Sequence, residues 1–189
     1  MRVMFNKLWS QKPTRVYLDY AAATPLLPAA KAAMEPFLTT HFANPSAIHR
    51  EGQTARDAVD TARSSIAKTF QVRPEFVTFT SGGTESNNLA IRGALTALKQ
   101  QTGKKLEQIE VLTLKTEHPA TLKTVEALGR RGIQVGYMPV TEVGLVDINA
   151  LRAQLTEKTA LVTIAYANSE IGVVQKLHAI KKAITEAEE

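Results

Sequence analysis

From Phe76 onward, short apolar runs alternate with helical patterns, and this alternation constrains the fold more than any other feature of the chain. Phe76–Thr80 reads as a strand and Thr84–Gln100 as a helix carrying Leu89, Leu95 and Leu98. Ile109–Leu114 is the next strand, and Pro119–Arg131 is a helix with proline in its favoured first turn. Ile133–Met138 is a third strand. Asp147 then caps a helix that buries Ile148, Leu151 and Leu155. Ala160–Ala165 is a fourth strand, and a last helix carries Leu177, Ile180 and Ile184. Such alternation predicts an α/β fold with a mostly parallel sheet covered by helices. Upstream, "PAAKAAMEPFLTTHF" predicts a helix that Pro36 kinks or ends. A turn, "NPSAIH", and a longer helix follow, the helix with Ala55, Val59, Ala62, Ile66 and Phe70 at three-to-four spacing.

In an open parallel sheet, ligands dock outside the carboxyl ends of the strands. Three strand-to-helix loops there carry polar residues: "SGGTESNN", "KTEHPA" and "ANSEIG". In the first, two glycines let the backbone turn tightly, and the following helix points its N-terminus at the loop. The amides, the helix dipole and the hydroxyls of Ser81 and Thr84 can make an anion site, or the loop is a plain strand–helix turn. It is neither a Walker loop nor G-x-G-x-x-G. His118 stands before Pro119, where an imidazole can stack on an aromatic cofactor, move a proton, or simply bond the backbone. "ANSEIG" offers Asn168, Ser169 and Glu170 to a ligand, or is a turn relieved by Gly172.

Composition removes several function classes. The 189 residues contain no cysteine, which excludes disulfides, thiolate metal sites and a thiol nucleophile within this sequence. The net charge of +5 is scattered, without a basic stripe interleaved with aromatics, so it reads as a solvated surface rather than a nucleic-acid footprint. No apolar run is long enough to span a bilayer. The start, "MRVMFNKLWSQKPTR", lacks the continuous apolar stretch of a secretory signal, and a cytoplasmic location is expected. No metal site is expected.

The motifs in series are more specific than any one of them. "VYLDYAAATPLLP", "HFANPSAIHREG", "VTFTSGGTESNNLAI", "TEHPATLKT" and "ANSEIGVVQ" occur in the order found in cysteine desulfurases of the class-V aminotransferase group, and the resemblance runs from Val16 to Leu177. It implies the three-layer sandwich of the large domain of fold-type-I pyridoxal 5′-phosphate (PLP) transferases, in partial form and truncated at the C-terminus. Residues 1–25 would then be an N-terminal segment and 26–189 the incomplete large domain. Gly83 and Thr84 match the positions that bind the PLP phosphate. His118 matches the histidine that stacks on the pyridine ring and takes part in proton transfer. Ser169 stands where many members have Asn in "NNEIG", so its contact with the ring hydroxyl is weakened or reached through water. Asn168 keeps the first position of that pair.

The same resemblance implies what is missing. The aspartate facing the pyridine nitrogen, the Schiff-base lysine and the sulfur-accepting cysteine all come later in the family. Lys115, the lysine nearest a motif, is expected to point to solvent. The complete enzyme would be a homodimer that converts L-cysteine to L-alanine and passes sulfur as persulfide to an acceptor or scaffold protein. This chain alone is expected to be inactive. Relatives also place the first strand far from the next three, with later strands between them. Phe76–Thr80 is therefore expected to lose its ladder partners, leaving edges open to aggregation or pairing. Other readings are another class-V activity (a selenocysteine lyase or an aminotransferase), a non-catalytic relic acting as an interaction module, and a nucleotide-binding α/β domain.

Overall fold

A computed structural model describes residues 15–188, so nearly all of the stretch read above for a secretory signal lies outside the described residues. The chain divides into two compact units, 1–70 and 71–189. Among the described residues no helix is long and apolar enough to cross a membrane.

In the first unit, helix α1 (Pro28–Thr39) begins with proline in its first turn. Pro36 lies inside it, and the helix stops three residues later. Its carbonyl closes the end by accepting from Thr40 and His41 N–H at 2.9 and 2.7 Å. The second helix, α2 (Arg50–Phe70), starts against the "NPSAIH" turn. Gly52 is required there, because a Cβ would come within 2.5 Å of the Ala47 carbonyl oxygen. Arg56 fastens the same turn by donating to Pro45 O at 2.8 Å and Ala47 O at 3.3 Å. The apolar spacing found the helix but not its buried face. Gly52, Ala55 and Ala67 are buried, whereas Ala62, Ile66 and Phe70 are exposed. Periodicity marks a face that can be covered; packing decides how much of it is.

The second unit contains the sheet. Strands β1 (Glu110–Thr113), β2 (Gln134–Tyr137) and β3 (Thr159–Val162) lie in the order β2-β1-β3, all parallel. Helices α3 (Gly83–Thr102), α4 (Pro119–Gly129), α5 (Ile148–Gln154) and α6 (Leu177–Glu188) cover its two faces. Successive β1 residues point to opposite faces, and the two cores follow from that. Val111 joins Ile91 and Leu95 of α3 with Val125 and Leu128 of α4. Leu112 joins Leu151 of α5 with Ile180 and Ala183 of α6. The expected three-layer arrangement is present, and Asp147 caps α5 as expected, accepting from Asn149 and Ala150 N–H at 2.9 and 3.1 Å.

Phe76–Thr80 stands without ladder partners, as the resemblance implied, and one other strand departs from its expected length. Phe76–Thr80 is not a strand of the sheet: Pro74–Phe76 forms a 3-10 turn, and the chain continues outside the ladder. Val77 keeps extended dihedrals (φ −100°, ψ 119°), so the alternation did report extended backbone. Membership of a ladder needs a neighbouring strand as well. The fourth expected strand is shorter than Ala160–Ala165. Beyond Val162 one bond continues, from Thr163 N–H to Leu112 O at 2.9 Å, and then Ala165 N–H turns to a side chain, the Glu117 carboxylate.

Candidate active site

The first of the three loops ends in α3, whose opening turn leaves amide N–H groups without partners inside the helix. Gly82 and Gly83 form the approach, and a Cβ on either would meet nothing within 4 Å. The loop is braced from within. Glu85 Oε2 accepts from Ser81 N–H at 2.7 Å and from Ser81 Oγ at 2.6 Å. These bonds hold the Glu85 carboxyl below its usual range, the Ser81 hydroxyl contributing most. Thr80 Oγ1 and Ser86 Oγ lie 2.7 Å apart across the turn. The Ser81 donors, expected to face an anion, are thus engaged by Glu85. Gly83, Thr84 and the amides of the first turn remain at the open side.

The second loop, from β1 to α4, sets His118 as the cap of α4. Its dihedrals are extended (φ −60°, ψ 146°), and Nδ1 accepts from Ala120 N–H at 3.0 Å. Capping and a ligand-facing role were alternatives in the sequence; here the ring caps the helix through one nitrogen while staying exposed. With Nδ1 accepting, the neutral ring carries its proton on Nε2. Thr84 and His118 line one cavity of about 450 Å³ with Asn88, Arg92 and Lys123. Asn87 Nδ2 donates to Thr121 Oγ1 at 3.3 Å and joins the two helix starts. A larger hollow of about 710 Å³ runs along β3 from Leu155 to Ala187 and contains none of these loop residues.

The third loop is organised by Asn168. Its Oδ1 accepts from Glu170 and Ile171 N–H at 2.9 and 3.0 Å. Its Nδ2 donates to Thr116 O at 2.8 Å, which fastens the β3 exit to the β1 exit. Gly172 (φ +69°) closes the turn by donating to Asn168 O at 3.0 Å, in a conformation that favours glycine. Ser169, at the tip, is exposed. Lys115 is exposed, as expected, with Nζ 5.9 Å from the centre of the Tyr137 ring. Among the described residues, no group of three or more His, Asp or Glu could hold a metal ion.

The sequence reading passed over two residues of this region. Glu117 is buried between exposed Thr116 and exposed His118, and its Oε1 accepts from Ala165 N–H at 2.6 Å. Gln175 is buried as well, accepting from Val146 N–H at 3.0 Å and donating to Gly144 O at 2.9 Å. A charged or amide side chain in a polar loop gives no local sign of burial, so neither had a signal in the sequence.

Comparison with known proteins gives this arrangement a family. Residues 16–188 match the aminotransferase class-V family. A relative described as cysteine desulfurase IscS, from Neisseria gonorrhoeae, is 46% identical over 168 residues, 88% of this chain and 40% of the relative. A solved structure described as a NifS-like protein superimposes with a TM-score of 0.85 at 29% identity, covering 92% of this chain and 46% of its own. Another, described as SspA in complex with cysteine, gives 0.80 at 35% identity, covering 91% and 48%. The chain thus spans less than half the length of these relatives. Motif order and the three-layer sheet agree with the match along nearly the whole sequence, and the chain belongs to the class-V aminotransferase family.

Proposed function

We propose that this chain provides the phosphate-binding and ring-facing part of a PLP-dependent cysteine desulfurase, which forms L-alanine from L-cysteine and passes sulfur on as persulfide. The observation that carries the reading is the cavity shared by Thr84 and His118, beside a glycine approach open to a ligand. Family membership supports PLP as cofactor. The cysteine named with the SspA structure supports the substrate.

The residues present fit the cofactor. Gly83 and Thr84 would take the phosphate through first-turn amides and the Thr84 hydroxyl, aided by the positive end of α3. His118 would lie against the ring with Nδ1 fixed by Ala120 N–H and the Nε2 proton available for exchange. Ser169 would approach the ring hydroxyl from the β3 loop. When bound, PLP supplies an electron sink at the substrate's α-carbon. Binding phosphate, orienting a ring and holding a proton are what these residues can do by themselves. The covalent lysine and the sulfur nucleophile belong to family segments without counterpart in this sequence, so the chain alone is proposed to be inactive. Residues 26–189 would act within a cytoplasmic homodimer that hands sulfur to a protein acceptor.

The experiment is a PLP titration of the chain and of Gly83→Ala, read by equilibrium dialysis. A methyl group at this open position leaves the fold intact and, at the start of a helix, costs no stability. It would stand where the phosphate enters, so binding should fall about tenfold, roughly 1.4 kcal/mol. Equal binding by both proteins would refute the phosphate assignment. Alanine production from cysteine by the pure chain would refute its inactivity.

A further inference from the structure

We infer that Glu117 is a positioning residue for His118: its buried carboxylate ties the β1–α4 loop to the end of β3 and thereby fixes where the imidazole stands. The inference deepens the proposed function and rests on its reading of His118 as the residue facing the ring.

A carboxylate is rarely this buried unless a partner offsets its lost hydration. Glu117 is 7% exposed, and the partner is the Ala165 N–H, 48 residues away, at 2.6 Å. That amide follows the last ladder bond of β3, Thr163 N–H to Leu112 O. The carboxylate therefore takes up a main-chain donor just as the strand leaves the sheet. The flanking residue is held from the same side, since Thr116 O accepts from Asn168 Nδ2 at 2.8 Å. A bond from Glu117 N–H to Leu114 O at 3.3 Å closes the turn. The loop is thus held immediately before His118 on three counts, and the next residue must be extended for Nδ1 to reach Ala120 N–H. Release of Glu117 would free the backbone that sets this cap, and with it the choice of ring nitrogen bearing the proton. A side chain that served only to fill the core would leave that choice unaffected.

The test uses the 189-residue chain with ¹⁵N-labelled histidine at mildly alkaline pH, where an imidazole is ordinarily neutral. The His118 signals are assigned with His118→Gln. In the wild type, Nδ1 should appear unprotonated and Nε2 protonated. Glu117→Ala, and Glu117→Asp with its shorter reach, should lose this single-tautomer pattern and bind PLP more weakly. Glu117→Gln should restore both, because its amide oxygen can still accept from Ala165 N–H. Far-UV circular dichroism verifies that each variant is folded. A wild-type tautomer pattern in folded Ala and Asp variants would overturn the inference, and so would failure of the Gln variant to restore it. If neither the Ala nor the Asp variant folds, the residue belongs to the fold and the inference also fails. If the tautomer responds as expected while PLP binding stays constant, Glu117 positions the ring and the ring's assignment to the cofactor is what fails.

Discussion

Removing the Asn168 side chain should loosen two of the three loops at once. Two of its hydrogen bonds, accepted from Glu170 and Ile171 N–H, shape the β3 exit, and the third, donated to Thr116 O, joins it to the β1 exit. A typical bond adds a net ~0.5–1.5 kcal/mol, which gives about 1.5–4.5 kcal/mol for three. Asn168 is partly exposed, so water replaces some of what is lost and the lower part of that range applies. We expect Asn168→Ala to cost about 2 kcal/mol in urea unfolding followed by circular dichroism, or roughly 4–8 °C in Tm for a chain of this size. Asn168→Asp separates the contributions. It keeps both acceptor bonds but sets a carboxylate oxygen against the Thr116 carbonyl, so its stability should fall between the other two. PLP binding should weaken in the same order if the loops form one site. An alanine variant within about 0.5 kcal/mol of wild type would refute the reasoning, because surface changes without structural consequence stay within that margin.

Glu117 and Gly136 give two further predictions. Burial raises the Glu117 pKa above 4.5, against the opposing effects of the Ala165 N–H and then of His118. Between the unfolded and folded pKa values the native state binds more protons, so its stability is full below the unfolded value and declines as pH rises through the folded one. Glu117→Gln should lack that decline, and unfolding midpoints measured across mildly acidic pH would show parallel curves if the assignment is wrong. Gly136→Ala would bring a Cβ within 2.5 Å of Leu112 Cδ2. Overpacking of this kind should cost about 1–3 kcal/mol, and an unchanged denaturant midpoint would show that the core gives way more easily than its geometry implies.

The sequence by itself determined the elements whose causes are local. Asp147 and Pro119 mark helix starts because a cap and a first turn need only neighbouring atoms. Apolar spacing identified β1 and the helices around it for the same reason. The ordered motifs were enough to indicate the family that residues 16–188 match. Tertiary structure decided what depends on distant partners. Phe76–Thr80 has the alternation of a strand, yet a ladder is formed between chains of atoms that local sequence does not place together. The helix α2 has an apolar stripe whose exposure its spacing could not give. Most of all, the site's framework came from contacts across about fifty residues, Glu117 to Ala165 and Asn168 to Thr116. Hydrogen bonds at that separation are chosen by the fold, and polar residues in a loop look alike until the sheet brings one of them inside.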